Sequence, residues 1–264
     1  MKQLIKSLGC VVLICAATLA AQEFSAGDFI IEGKQVLGKG YAAFDKVTLL
    51  KARGLFERAV NMEPENQWAQ YHLLLTDYRL IIYFSQPKDE EHLDQYLDTA
   101  VEEGLQLIQE HPENAEAKAL MCSVYGMKIS VKWLLAPVLG PKSQKFIAEA
   151  LEIAPENPRV LLQAGISKYN TPAFFGGDKE EAVSLFQRAI EQFGNEPGDH
   201  GIQPDWGYPD ACAWLGMAYT NDGKYAEAID IFERALETHP NFGWIKYNLL
   251  PDAKSKIASA EEGL

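Results

Sequence analysis

The chain has 264 residues, of which 47% are hydrophobic, so it can bury a large core as one or two domains. Its formal net charge of −13 argues against nucleic acid or an anionic membrane as a partner, because an acidic surface repels phosphate groups. A well-solvated acidic surface instead favours a protein that stays in solution after export.

The N-terminus has the pattern of a secretory signal. Lys2 and Lys6 precede an apolar run from Leu8 to Ala20 that is short for a bilayer span, and a second small residue, Ala21, follows it. We predict cleavage after Ala20 or Ala21, so that residues 1–21 are a signal and residues 22–264 form a periplasmic or secreted protein. A retained membrane anchor is the alternative.

From about residue 33 the chain shows a recurring pattern of paired helices. Each pair has small residues and a phenylalanine at helical spacings, which lets two antiparallel helices approach closely around one ring. In the first pair these positions are Gly40, Ala52, Phe56 and Ala59. In the last pair they are Gly216, Ala228, Phe232 and Ala235. Between the last two helices, Gly223 suits a left-handed turn.

A proline followed by an asparagine marks the end of most pairs. The proline ends one helix, and the asparagine side chain can cap the next by accepting a backbone N–H. These marks are Pro64-Glu65-Asn66, Pro112-Glu113-Asn114, Pro155-Glu156-Asn157 and Pro240-Asn241. The resulting repeats lie near 33–64, 65–112, 113–155, 156–194 and 209–242. A capping segment, 243–264, follows, and Pro251 is expected to stop its helix.

Four segments exceed what a plain helical repeat needs, and long loops in compact domains are commonly functional. They are Tyr83–Asp94, Leu134–Lys142, Thr171–Gly177 and Asn195–Tyr208. We expect the aromatic residues of the last two to fold onto the protein, because exposed aromatics lower solubility. Asn195–Tyr208 is long enough to cross stacked helices, so we predict that Trp206 covers their concave side as a lid, near Arg159 or Tyr169.

The unit from Asp210 to Pro240 resembles the tetratricopeptide repeat, a helix–turn–helix unit of about 34 residues. The likeness covers every diagnostic position except the first large one, where Cys212 replaces the usual aromatic residue. It implies an all-α, right-handed solenoid of about five repeats with a C-terminal capping helix, in one domain over residues 22–264. Cys122 and Cys212 then belong to different repeats, so we expect buried free thiols.

Longer stretches resemble exported bacterial tetratricopeptide proteins of unassigned function. These stretches are Asn157–Gly177, Leu139–Lys142 and the sequence DWGYPDACAWLG at residues 205–216. The motif Phe174-Phe175-Gly176-Gly177 is also similar to an aromatic-Gly-Gly insertion in the T component of periplasmic TRAP transporters. That resemblance implies an accessory protein that holds a small hydrophobic solute for a transport system.

Candidate binding residues follow from the repeat resemblance, because the first helices of stacked repeats line a concave groove. Groove positions and the aromatic insertions supply Trp68, Tyr71, Tyr78, Arg79, Arg159, Tyr169, Asn170, Phe174, Phe175 and Trp206. A single aromatic at such a position is more often a packing contact with the neighbouring repeat. Together with the arginines, the set favours a groove for something apolar that carries an acceptor or a negative charge.

The sequence shows little chemistry beyond binding. Its five histidines have no metal-ligand spacing and it has no hydrolase or zinc motif, so we predict no metal, no cofactor and no enzyme. We predict a binding or scaffold module for a protein, peptide or small ligand, with a membrane complex as a further partner. The transport accessory is the first alternative, and an enzyme that uses His200, Asp205 and Asp210 is the second.

Overall fold

The computed structural model describes residues 24–86 and 89–262, and this part of the chain is helical, with no strand. The predicted signal lies outside it. The helices are α1 (Ala26–Ala43), α2 (Lys46–Met62), α3 (Gln67–Ser85), α4 (Glu90–Glu110), α5 (Ala115–Val131), α6 (Ala136–Ile153), α7 (Pro158–Asn170), α8 (Lys179–Phe193), α9 (Tyr208–Asn221), α10 (Tyr225–Thr238) and α11 (Leu250–Glu262). Short 3₁₀ turns lie before α6 (Trp133–Leu135) and between α7 and α8 (Ala173–Phe175), and a π-helical turn (Ile245–Leu249) precedes α11. None of the described helices is long and apolar enough to cross a membrane.

Consecutive helices pack as pairs, and the pairs stack in chain order. Across the described residues α1 packs on α2, α3 on α4, α5 on α6, α7 on α8 and α9 on α10, while α11 covers the last pair. The predicted all-α solenoid of five repeats with a C-terminal helix is therefore confirmed. Close approach depends on glycine: a Cβ atom at Gly165 or Gly216 would lie 2.5 or 2.3 Å from the ring of Phe186 or Phe232.

Asparagine caps begin three of the first helices, as predicted. The side chains of Asn66, Asn114 and Asn157 accept backbone N–H groups in the first turns of α3, α5 and α7. Asn241 does not take this role, because the helical segment after Pro240 begins at Gly243 and Phe242 occupies the capping position.

The first helix starts earlier than the sequence pattern indicates. α1 begins at Ala26 rather than near residue 33, and the glycine against the Phe56 ring is Gly33, not Gly40. Gly33 and Gly40 are about two turns apart on one face of α1, so the repeat pattern fits either register. Gly40 instead lies against the backbone of Thr48 at the start of α2.

Two predicted insertions are largely helical, because the extra residues lengthen helices. Within Tyr83–Asp94, α3 extends to Ser85 and α4 begins at Glu90, and these two helices have 19 and 21 residues. In Leu134–Lys142, Pro137 lies in the first turn of α6, where a missing N–H costs no helical hydrogen bond. Pro251 does not stop the C-terminal helix either, since it is the second residue of α11, just after the π-helical turn that already interrupts the regular hydrogen-bond ladder.

α5 forms the centre of the core. All its residues from Ala115 to Tyr125 are buried. Met121 packs with the helices before α5, whereas Ala119 and Cys122 pack with those after it. A helix covered on every face needs apolar residues on every face, which explains its weak helical periodicity. Cys122 and Cys212 are buried free thiols, as predicted.

A cluster of charged side chains joins α2, α3 and α4. The Arg53 guanidinium contacts both carboxylate oxygens of Asp77, at 2.6 and 3.2 Å, and lies 3.3 Å from a Glu103 oxygen. Glu57 also contacts this guanidinium, so three carboxylates share it, and Asp77 among them is fully buried. Burial, reinforced by the Asp77 charge, raises the pKa of Glu103 to about 9, which keeps Glu103 protonated at neutral pH.

This raised pKa predicts that the protein loses stability between about pH 4.5 and pH 9. The ordinary pKa of Glu103 is 4.5, so over this range the folded state holds a proton that the unfolded chain has lost; the free energy of unfolding should fall as pH rises and level off above about 9. Glu103→Gln should flatten that fall, and the exposed Glu102→Gln should not. Urea denaturation at a series of pH values measures the effect; parallel profiles for Glu103→Gln and the wild type would contradict it.

Candidate functional site

The loop between α8 and α9, residues 194–207, lies across the concave side of the solenoid, and we call it the crossing loop. Its main-chain carbonyls accept hydrogen bonds from side chains of three first helices, α1, α3 and α7. The donors and their acceptor oxygens are Lys34 Nζ and Gly201 (2.7 Å), His72 Nε2 and Ile202 (2.9 Å), and Arg159 Nη2 and Pro204 (2.8 Å). The predicted crossing of the groove is therefore confirmed.

Trp206, near the end of the crossing loop, packs against two side chains of α3. Its Nε1 donates to the hydroxyl of Tyr71 at 3.1 Å, and Arg79 Cζ lies 4.7 Å from the centroid of its ring. Trp206 thus covers the concave side, as predicted. Its predicted neighbour Tyr169 is not there, because that ring packs against Phe186 in the core.

Arg159 holds both ends of the crossing loop. Besides Pro204, it binds Glu196 with two parallel contacts, Nη1 to Oε1 at 2.6 Å and Nη2 to Oε2 at 3.0 Å. Its Nη1 also lies 3.6 Å from Glu116 of α5, to which Asn157 donates at 2.8 Å. Burial raises the pKa of Glu116, and the Arg159 charge opposes that rise. The N–H groups of the planar Arg159 guanidinium point in fixed directions, so the Glu196 carboxylate and the Pro204 carbonyl must lie at set positions, and this fixes the loop.

A second buried arginine joins the two ends of the solenoid. Arg79 Nη1 lies 3.0 Å from Asp210 Oδ1 at the start of α9, and the Tyr41 hydroxyl of α1 donates to the same oxygen at 2.9 Å. Burial raises the pKa of Tyr41 well above its ordinary value, so the hydroxyl keeps its proton. Arg79 Cζ also lies 3.7 Å from the Tyr41 ring centroid, which places the guanidinium between this ring and Trp206. We call Tyr41, Arg79 and Asp210 the closing triad.

A cavity of about 770 Å³ lies beside the closing triad. Burial lowers the pKa of His72, one of the residues that line the cavity, to about 4, so the imidazole is neutral. Its Nε2 carries the proton and donates a hydrogen bond to the Ile202 carbonyl. The buried Nδ1 of His72 has no hydrogen-bond partner among the described residues. Besides His72, the walls include Lys34, Tyr41, Trp206, Phe242 and Tyr247. The cavity therefore combines aromatic and basic side chains.

The structure brings some of the predicted binding residues together and separates others. Tyr71, Arg79, Arg159 and Trp206 meet at the crossing loop. Trp68 and Tyr78 flank them on α3 as packing contacts: the Trp68 ring lies 6.1 Å from that of Tyr71, and the Tyr78 ring 5.8 Å from Arg79 Cζ.

Tyr169, Asn170, Phe174 and Phe175 lie away from the crossing loop. The Tyr169 hydroxyl accepts a hydrogen bond from Asn221 at 2.7 Å, and Asn170 is exposed at the end of α7. Phe174 and Phe175 are 92% and 69% exposed, so the expectation that the aromatic insertions fold onto the protein is wrong for this pair.

Sequence reasoning missed the contribution of the chain ends to the site. Lys34 and Tyr41 lie two turns apart on α1 and both line the cavity, and the Phe242 ring packs 5.8 Å from that of Tyr41. Their spacing on one face of α1 is a weak signal, because it acquires meaning only once the two ends of the solenoid are known to meet.

The residues of the enzyme alternative are not assembled. Asp210 is held by Arg79 and Tyr41, and Asp205 lies 3.2 Å from Lys34 Nζ. Within the described part of the chain no side-chain hydrogen bond connects His200 to either carboxylate.

Comparisons with known proteins agree with this fold. Residues 159–195 and 209–242 match family models of the tetratricopeptide repeat. The structure is similar to TTC0263, a thermophilic TPR protein in Thermus thermophilus, with a TM-score of 0.59 and 20% identity over 89% of this chain and 98% of that one. It is also similar to the HusA haemophore from Porphyromonas gingivalis, with a TM-score of 0.58 and 20% identity over 74% of this chain and 92% of that one. At these identities the likeness shows the fold alone. A search of curated protein sequences found no match.

The closing triad predicts a large stability effect for Asp210→Asn. This change leaves the Arg79 charge buried without its carboxylate, which should cost about 3 kcal/mol of unfolding free energy. Asp230→Asn is the control, because that side chain is 69% exposed and its change should cost less than about 0.5 kcal/mol. Urea denaturation compares the two, and equal small losses would show that the triad does not hold the ends together.

Proposed function

Because the chain is a tetratricopeptide repeat protein, we propose that it is a non-catalytic binding module whose ligand site is the cavity beside the closing triad. Stacked helical repeats form extended concave binding surfaces. The observation that carries the proposal is the crossing loop, because it turns the groove of this solenoid into a bounded cavity.

The crossing loop favours a small ligand over an extended peptide. A peptide in the groove would compete for Lys34, His72 and Arg159, and these side chains already bind the carbonyls of the loop. The remaining space of about 770 Å³ falls within the range of small-molecule sites, roughly 300–1,000 Å³.

The walls of the cavity favour a flat, largely apolar ligand with an acidic group. Tyr41, Trp206 and Phe242 offer aromatic surface, while the exposed Lys39 supplies positive charge.

Haem is a suitable first probe. It is planar and apolar and carries two carboxylates, and His239 in the cavity wall offers an imidazole, the side chain that commonly binds haem iron. One structure of the same fold is described as a haemophore. At 20% identity this likeness supports the choice of probe, and the chemistry of the walls supports the class of ligand.

We also propose that the ligand is bound outside the cytoplasm, because residues 1–21 have the pattern of a cleaved signal. A transport accessory that holds a hydrophobic solute would use the same cavity, so the two roles share one test of binding.

Haem titration of the protein that begins at residue 22 should show saturable binding, followed by visible absorption and tryptophan fluorescence. Tyr247→Ala should weaken binding about tenfold, because the loss of an aromatic contact in a ligand site costs ~1–2 kcal/mol. Phe174→Ala is the matched control, since Phe174 is an exposed aromatic that does not line the cavity.

Three outcomes would contradict the proposed site. They are equal losses in Tyr247→Ala and Phe174→Ala, unchanged binding by Trp206→Ala, and a purified protein that binds no haem and retains no small molecule in native mass spectrometry. A retained molecule of another identity would support the site and replace haem as the ligand.

A further inference from the structure

The two ends of the helical stack meet without sharing a helix interface. Each helix pair packs on the next through whole helices: α2 lies on α3, α4 on α5, α6 on α7 and α8 on α9. Among the described residues, neither helix of the first pair has an extended interface with α9, α10 or α11. The ends are joined instead by individual contacts of residues 34–43 with residues 201–210 and 239–247. We call this junction the seam.

The contacts of the seam are local. The Tyr41 hydroxyl donates to Asp210 at 2.9 Å, and the Phe242 ring packs 5.8 Å from the Tyr41 ring. Lys34 Nζ lies 3.2 Å from an oxygen of the half-exposed Asp205. Breaking these contacts leaves every helix and every interface between neighbouring pairs intact. Regions held by few buried contacts open most easily, so the seam is the place where the stack can open at least cost.

A glycine sets the closest approach across the seam. A Cβ atom at Gly243 would lie 2.6 Å from the carbonyl oxygen of Ala42 and 3.8 Å from its carbonyl carbon. Both are backbone atoms, so no flexible side chain can turn aside to make room. Closure therefore needs the bare backbone of glycine, and any other residue at position 243 moves the end of α1 away from the last helix pair.

The cavity of the proposed function spans the seam. α1 supplies Lys39 and Tyr41 to its walls, and the opposite side supplies Phe242 and Tyr247. The crossing loop, which bounds the same cavity, is also tied to α3 and α7, so it stays in place when α1 moves. A movement of α1 at the seam therefore divides the aromatic walls and removes the enclosed space.

We propose that the stack opens and closes at the seam and that the closed form is the one that holds ligand. The ligand half of this statement rests on the proposed function, whereas the movement does not. In the open form α1 and α2 pivot on α3 and expose the aromatic walls. In the closed form a ligand touches both sides of the seam, so it stabilises closure by its differential affinity for this form. Closure and binding then strengthen each other by the same factor.

Pulsed electron paramagnetic resonance tests the movement without a ligand, in the protein that begins at residue 22. Spin labels on Lys51→Cys and Ser255→Cys, at exposed positions of α2 and α11, report the separation of the two ends. The buried thiols Cys122 and Cys212 should stay unlabelled. The wild-type seam should give a narrow distance distribution. Gly243→Ala should add a longer-distance population, because its Cβ atom holds the seam apart.

Gly54→Ala is the matched control. Gly54 lies inside α2, and a Cβ atom there meets nothing within 4 Å, so this change should keep the wild-type distances. Tyr41→Phe is a milder second variant, because it removes one hydrogen bond to Asp210 and keeps the ring. It should shift the distances in the same direction as Gly243→Ala, by less. Far-ultraviolet circular dichroism checks that all three variants keep the wild-type helix content.

Haem titration of Gly243→Ala and Gly54→Ala tests the coupling. Gly243 does not line the cavity, so a weaker affinity reports on closure and not on a lost ligand contact. The apparent Kd should rise in proportion to the fall in the closed fraction, about tenfold if that fraction falls to about a tenth. Saturating zinc protoporphyrin, the diamagnetic counterpart of haem, should return the longer-distance population to the closed distance.

Opening at the seam is overturned if Gly243→Ala and Tyr41→Phe both retain the wild-type distances. The coupling is overturned if haem binds Gly243→Ala as tightly as Gly54→Ala while the open population is present, or if zinc protoporphyrin binds and leaves that population unchanged. Failure of both porphyrins to bind any of these proteins would count against the proposed function, and the distances without ligand would still decide whether the seam opens.

Discussion

The carboxylate of Asp210 is the contact on which the shape of this solenoid depends. Its Oδ1 accepts from Arg79 and from Tyr41, residues that are 131 and 169 positions away in the chain. A buried guanidinium is costly to desolvate, and here a carboxylate and two aromatic faces offset that cost. Because the contact joins α1, α3 and α9, it brings the first and last helix pairs together and makes the stack a closed form. The packing of Phe242 on Tyr41 continues the same junction.

Closure changes what the concave surface can bind. The inner residues of α3 are buried on nearly all sides, and the crossing loop contacts Tyr71, His72 and Arg79 among them. Lys34, His72 and Arg159 use their hydrogen bonds on that loop and thereby hold it as a fixed wall. A wall that is already ordered loses little conformational entropy when a ligand arrives, which favours the proposed small-molecule site.

Local signals in the sequence determined the helical repeats, their asparagine caps, the buried thiols and the course of the crossing loop, because each rests on spacing along one helix or on loop length. The same signals misplaced the start of α1, since Gly33 and Gly40 share a face, and predicted loops or a stop where Pro137 and Pro251 are accommodated by helix geometry. They predicted Tyr71, Arg79, Arg159 and Trp206 as binding residues, because these lie at periodic groove positions or in an aromatic insertion. Only the tertiary structure places Tyr41 and Phe242 beside these residues, and Phe174 and Phe175 away from them. Those outcomes depend on how the accumulated twist of five stacked pairs brings distant segments into contact, and no spacing within one repeat encodes that distance.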